Sequence, residues 1–247
     1  MLKLENISKT YNSQSVIKNI SMELETGEVW GIIGKNGAGK TTLLSIISNL
    51  IYPEEGKIYI DSKETSKNFS SDIKRRIGVC FGEDLIEDFS GYEFLKFRSE
   101  LFGIKSADII ISQLCSFLFD DINELKKPIK SFSFGMKKKV SIIASLIHKP
   151  EIVIWDEPFN GLDFIAVQKV IHLTNTYKSS ERTFIISSHD LKIVDEVCTH
   201  IAVINSGKII FQNRKELLYI SSDRFDSKII ELLGETNITN YNLDSIN

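Results

Sequence analysis

Gly34-Lys35-Asn36-Gly37-Ala38-Gly39-Lys40-Thr41 is the stretch that decides the reading of this chain. The octapeptide matches G-x-x-x-x-G-K-[ST]; it follows Glu28 to Ile33, which reads as a strand, and precedes Lys40 to Leu50, which reads as a helix. Glycines at 34, 37 and 39 admit φ values that other residues resist, so successive backbone N–H groups can turn inward around phosphate oxygens. The N-terminal end of the following helix adds positive partial charge. Lys40 would then reach the β- and γ-phosphates, and Thr41 would offer its hydroxyl to Mg²⁺. The expected phosphate cradle is Gly34, Lys35, Asn36, Gly37, Ala38, Gly39, Lys40, Thr41 and Thr42, and the expected ligands are ATP and Mg²⁺.

Downstream, Ile152-Val153-Ile154-Trp155-Asp156-Glu157 is an apolar run that ends in two acids and is closed by Pro158. Carboxylates at the carboxyl end of a strand sit where open α/β sheets place their ligands. Asp156 is the candidate for holding the metal, and Glu157 the candidate for polarising a water toward the γ-phosphate. Taken alone, an acidic strand end reads equally well as a solvated one.

Working outward, short β-branched runs recur at Val29 to Ile33, Lys57 to Ile60, Ile77 to Phe81, Ile152 to Trp155, Thr183 to Ser187, His200 to Ile204 and Lys208 to Phe211. Helical patterns fall among them at Gly91 to Phe102, Ala107 to Phe119, Phe134 to His148, Leu162 to Tyr177 and Leu191 to Val197. Strand and helix alternation predicts an α/β core with a mainly parallel sheet. From Asp84 to Pro128 helix follows helix with no strand, which predicts a helical insertion, placed at about 84–148 with the helix that follows. The polar, Asn-rich stretch from Gly234 onward reads as a loosely held tail.

Composition narrows the function classes. A chain of 247 residues suits one α/β core with a small appended subdomain. Thirty Lys and Arg stand against thirty-three Asp and Glu, so no global field gathers nucleic acid or anionic lipid. Cys80, Cys115 and Cys198 are far apart and form no CxxC pair, which suits a reducing cytoplasm. The longest apolar stretch, near Val140 to Ile147, is too short to span a bilayer, so membrane association is expected through a partner. The run Lys137-Lys138-Lys139 reads as the solvated face of a helix whose buried stripe is Met136, Val140, Ile143, Ala144 and Ile147.

Between the two sites lies Phe132-Ser133-Phe134-Gly135-Met136, which resembles the LSxGQ signature of ABC ATPases and opens a helix. Asn160-Gly161-Leu162-Asp163 is similar to that family's D-loop, His189 to its switch histidine, and Tyr11 to its adenine-stacking aromatic. The motifs occur in family order over residues 1–212. The resemblance implies a P-loop NTPase core with an antiparallel β subdomain and an inserted helical subdomain, followed at 213–247 by a short helical extension and the tail. It also implies that Ser133, Gly135 and Asp163 contact nucleotide in a head-to-tail pair of cassettes, with Lys40, Glu157 and His189 catalytic and Thr41 and Asp156 on the metal. The Q-loop departs from the pattern: Ile77 to Glu83 contains no Gln, and either Gly82 or Glu83 takes its position, with Glu83 the one able to ligate Mg²⁺.

The implied function is the ATP-hydrolysing subunit of an ABC transporter on the cytoplasmic face of the cell membrane. It would energise export by a separate transmembrane permease, without nucleic acid as a partner. An importer ATPase is the alternative within the class; a soluble ABC protein acting on ribosomes or DNA is the alternative outside it, disfavoured by the single cassette and the absence of a heptad array.

Overall fold

The computed structural model describes residues 1–65, 70–82, 85–178, 181–219 and 225–234. Among these, a first sheet of four strands is antiparallel, ordered β2-β1-β4-β5, from β1 (Leu2–Tyr11), β2 (Gln14–Leu24), β4 (Glu55–Ile60) and β5 (Lys63–Glu64). A second sheet of six strands is ordered β10-β9-β3-β8-β7-β6. It contains β3 (Val29–Ile33), β6 (Ile77–Cys80), β7 (Ile152–Asp156), β8 (Thr183–Ser187), β9 (His200–Asn205) and β10 (Lys208–Arg214). Its pairs are parallel except for β10 against β9.

The central strands are apolar without interruption because both faces of the sheet are covered. Successive side chains still alternate. Val153 and Trp155 of β7 face one core, whereas Ile152 and Ile154 face the other. The first core lies under the helical insertion; the second is shared with the antiparallel sheet and α1 (Lys40–Ile47). Trp155 is fully buried and its indole N–H donates to Ser145 Oγ at 2.9 Å, so this large core side chain leaves no polar atom unpaired.

The insertion is built from α3 (Gly91–Leu101) and α4 (Ala107–Leu118), after which α5 (Phe134–Leu146) returns the chain to the sheet. Ser90 and Glu93 form a reciprocal capping box at the start of α3, satisfying two N–H groups that the helix itself cannot. The chain continues through α6 (Phe164–Tyr177) and α7 (Leu191–Val197) to α8 (Phe225–Leu232), which seats Phe225 and Ile229 in the first core. The tail at 235–247 lies outside the described residues.

Several boundaries differ from the sequence reading. β1 and β2 are not among the expected strand runs, because exposed residues interrupt the apolar positions of a sheet solvated on one face. The five-residue helix α2 (Ser71–Arg75) buries no residue and so carries no apolar signal. The helix expected to reach Leu50 ends at Ile47, and Asn49 takes a left-handed φ of 57°. The helix expected from Leu162 begins at Phe164, because Asp163 caps it.

Candidate functional site

In the second sheet β8 lies between β3 and β7, and all three run parallel. Their carboxyl ends therefore open on one edge, and the loops after them carry the P-loop, Asp156 with Glu157, and Ser188 with His189. Residues more than a hundred positions apart meet there through strand order alone.

Gly37 and Gly39 have φ of 77° and 107°, the left-handed region that glycine occupies without cost. Gly39 also backs onto β2: a Cβ there would stand 2.8 Å from Ile17 Cδ1 and 3.0 Å from the Val16 carbonyl. Gly34 corrects the sequence reading, since it is not among the residues with positive φ. Its glycine is required by space, a Cβ standing 2.5 Å from the Ile204 carbonyl of β9. Gly39 caps α1 without a side chain, which leaves the helix N-terminus open toward the loop. Lys35, Asn36 and Gly37 are exposed along that loop, whereas Ala38 is buried.

Lys40 is 7% exposed, and its ammonium donates to the Gly34 carbonyl at 2.8 Å, folding back along the loop it must serve. It also lies 4.0 Å from Glu157 Oε1. His189 Nδ1 stands 2.9 Å from Glu157 Oε2, so the carboxylate, which can only accept, is held between a cation and an imidazole N–H. Glu157 takes a left-handed φ of 46°, a strained value for a non-glycine residue that aims its side chain off the end of β7.

Thr41 Oγ1 donates to Asp156 Oδ2 at 2.7 Å, which sets a hydroxyl and a carboxylate side by side. Two hard oxygens fit Mg²⁺, which takes one or two protein oxygens and completes its shell with phosphate and water. No group of three or more His, Cys, Asp or Glu that could hold a metal occurs among the described residues. Glu83, expected on the metal, lies outside the described residues. Thr42 is half-buried on α1.

Ser187 is a member of this site that sequence reasoning missed. Fully buried at the end of β8, its hydroxyl donates to Asp156 Oδ1 and accepts from the Glu157 N–H at 2.9 Å. A Ser closing an apolar strand is the only signal it leaves in the sequence.

The remaining candidates lie elsewhere on the same chain. Ser133 caps α5, accepting from the Met136 N–H at 3.2 Å, and is exposed. Gly135 packs on the D-loop, where a Cβ would stand 2.7 Å from the Gly161 carbonyl. Asp163 caps α6 by accepting from the Ala166 N–H at 2.8 Å, and that bond holds its carboxyl below the usual carboxylate range. Tyr11 ends β1 at the hairpin leading to Val16 and Ile17, 44% exposed, with Lys9 Nζ 5.4 Å from its ring centre.

The lysine run is corrected by the structure. Lys138 is 4% exposed, and neither Lys137 nor Lys139 is fully solvated. Lys137 pairs with Glu87 at 2.5 Å, and Lys139 lies over the Phe119 ring. Gly82 and Glu87 after β6, and Phe119 at the end of α4, lie against the face expected to meet water.

The ABC transporter family model matches residues 17–160. The chain belongs to the ABC transporter family. Within it the chain is an ATP-binding, ATP-hydrolysing component. It is 34% identical over 231 residues to the lantibiotic transport ATP-binding protein SrtF of Streptococcus pyogenes, covering 93% of this chain and 98% of that one. It is 33% identical to the ABC transporter ATP-binding protein NatA of Bacillus subtilis, covering 93% and 96%. A solved ATP-binding subunit of an ABC transporter superposes with a TM-score of 0.85 at 25% identity, over 94% of this chain and 99% of that one. No helix among the described residues is long and apolar enough to cross a membrane.

Proposed function

We propose that this ABC cassette hydrolyses ATP to energise export by a separate membrane-embedded subunit, which it joins peripherally on the cytoplasmic face. The observation that carries the chemistry is the Glu157 carboxylate, 4.0 Å from the Lys40 ammonium and 2.9 Å from His189 Nδ1 at the open edge of the sheet. The likeness to a lantibiotic transport protein along nearly its whole length favours export over import.

ATP lies with its phosphates along 34–41 and its adenine toward Tyr11. Lys40 leaves the Gly34 carbonyl for the β- and γ-phosphates. Thr41 and Asp156 would hold Mg²⁺, which when bound neutralises charge on the β- and γ-oxygens. Glu157 accepts a proton from water as the water oxygen bonds to the γ-phosphorus and the bond to the β–γ bridging oxygen breaks, leaving ADP and phosphate. His189 orients Glu157, and Ser133 and Gly135 of a second cassette close over the γ-phosphate, with Asp163 at the contact.

Glu157→Gln tests this reading. The amide can hold a water but takes no proton, so hydrolysis should fall at least a hundredfold while ATP binding persists and closed dimers accumulate by light scattering. Normal turnover would refute the site. Wild-type protein recovered from detergent extract should bring a membrane subunit with it; recovery with ribosomes or DNA alone would refute the transport role.

A further inference from the structure

Gly82 follows β6 with φ of 85°, and a Cβ built on it would stand 2.8 Å from Lys138 Nζ and 3.5 Å from its Cε. The space a side chain at 82 would enter is filled by an ammonium that arrives from α5. Helical spacing holds it there, since Lys138 shares one buried face with Ser141, Ile142 and Ser145.

An ammonium has three N–H donors and is costly to bury unless they are met. Lys138 has the Asp156 carbonyl at a long 3.4 Å and the Phe134 ring centre at 5.7 Å. Among the described residues it forms no ion pair, whereas the adjacent Lys137 pairs with Glu87. A charge kept inside on these contacts has, among the described residues, room for a further anionic partner. Its contact with the Asp156 carbonyl sets Lys138 at the carboxyl end of β7, where Thr41, the hydroxyl partner of Asp156, and Lys40, the partner of Glu157, belong to the P-loop.

We propose that Lys138 is a further positioning residue for ATP hydrolysis: its ammonium takes the space of the side chain missing at Gly82 and brings positive charge to the end of β7, where it favours a nucleotide that carries a γ-phosphate. The proposal rests on the nucleotide site described above. Through the Asp156 carbonyl Lys138 also steadies the turn that aims Glu157.

Dissociation constants of ATP and ADP with Mg²⁺, measured on the full chain, test it. Lys138→Met keeps length and removes charge. The preference for ATP over ADP should fall about tenfold, the size of one charge acting across a partly buried site. Hydrolysis should fall with it, and the thermal midpoint should hold, because a neutral isostere in place of a buried charge is commonly tolerated. Lys138→Arg should recover the preference in part. An unchanged ratio in a folded Lys138→Met that still hydrolyses ATP as wild type does would overturn the proposal and leave the cassette reading intact. Wild-type protein that binds neither nucleotide would overturn the cassette reading itself. If Lys138→Met does not fold, Lys138→Gln carries the same measurement; failure of both to fold would assign Lys138 to structure alone and overturn the proposal.

Discussion

Ser187 serves two acids with one hydroxyl, donating to the Asp156 carboxylate and accepting from the Glu157 N–H. Its removal orphans a backbone donor at the residue whose φ is already strained. Ser187→Ala should therefore cost about 1–3 kcal/mol of stability, read by denaturant unfolding, the usual penalty for an unmet buried polar group. ATPase activity should fall roughly ten- to a hundredfold, since a displaced catalytic group loses rate steeply. A stable variant with wild-type turnover would remove Ser187 from the site. In the sequence, Lys40, Asp156 and Glu157 stand in motifs; Ser187 does not, because its partner lies 31 residues away on the neighbouring strand.

Helix α5 joins the nucleotide edge to the insertion, and His148 just beyond its end stacks on Phe102, ring centres 3.9 Å apart, with Nε2 3.0 Å from the Ile77 carbonyl. Burial pushes this imidazole down to about 4, against a bond to Ile77 that works the other way; Arg98 and Arg75 push it further down. The folded chain thus resists a proton that the unfolded chain takes up near 6.5. Stability from the neutral ring is full above pH 6.5 and is lost as the pH falls from there to about 4. Thermal midpoints across that window should fall less steeply in His148→Phe than in the wild type. Parallel profiles would show that His148 does not report acid. At this scale β3, β7, β8 and β9 were legible as apolar runs, whereas β1 and β2 were not, since each pairs long and half-exposed strands.

On the whole molecule, Phe134, next to the exposed Ser133 cap, is 60% exposed and lies against Gly161 of the D-loop, and Phe164 and Ile165, which open α6 after that loop, are 74% and 59% exposed. Large apolar side chains left in water on these segments suit burial against a second copy. In the head-to-tail pair proposed above, Ser133→Arg sets a bulky cation where the partner's γ-phosphate would come. Hydrolysis should drop to background while each subunit still binds ATP, as measured by nucleotide titration; surviving ATPase activity would rule out the head-to-tail pairing. Loss of ATP binding in the separate subunit would instead mean that Ser133 serves its own nucleotide.

Family, α/β class and the loops that carry the candidate chemistry are legible along the chain, because a P-loop needs glycine at fixed spacing and a buried parallel strand needs an unbroken apolar run. Which groups meet depends on how the elements pack. Strand order brings Ser187 between Asp156 and Glu157, and the return of α5 against β6 turns Lys138 inward where helical periodicity alone placed it in water. Gly34 belongs to the same class, its need for glycine coming from the β9 carbonyl packed against it. Local pattern records the preferences of one segment; contacts between distant strands and helices depend on how the segments stack, and no spacing within a segment encodes them.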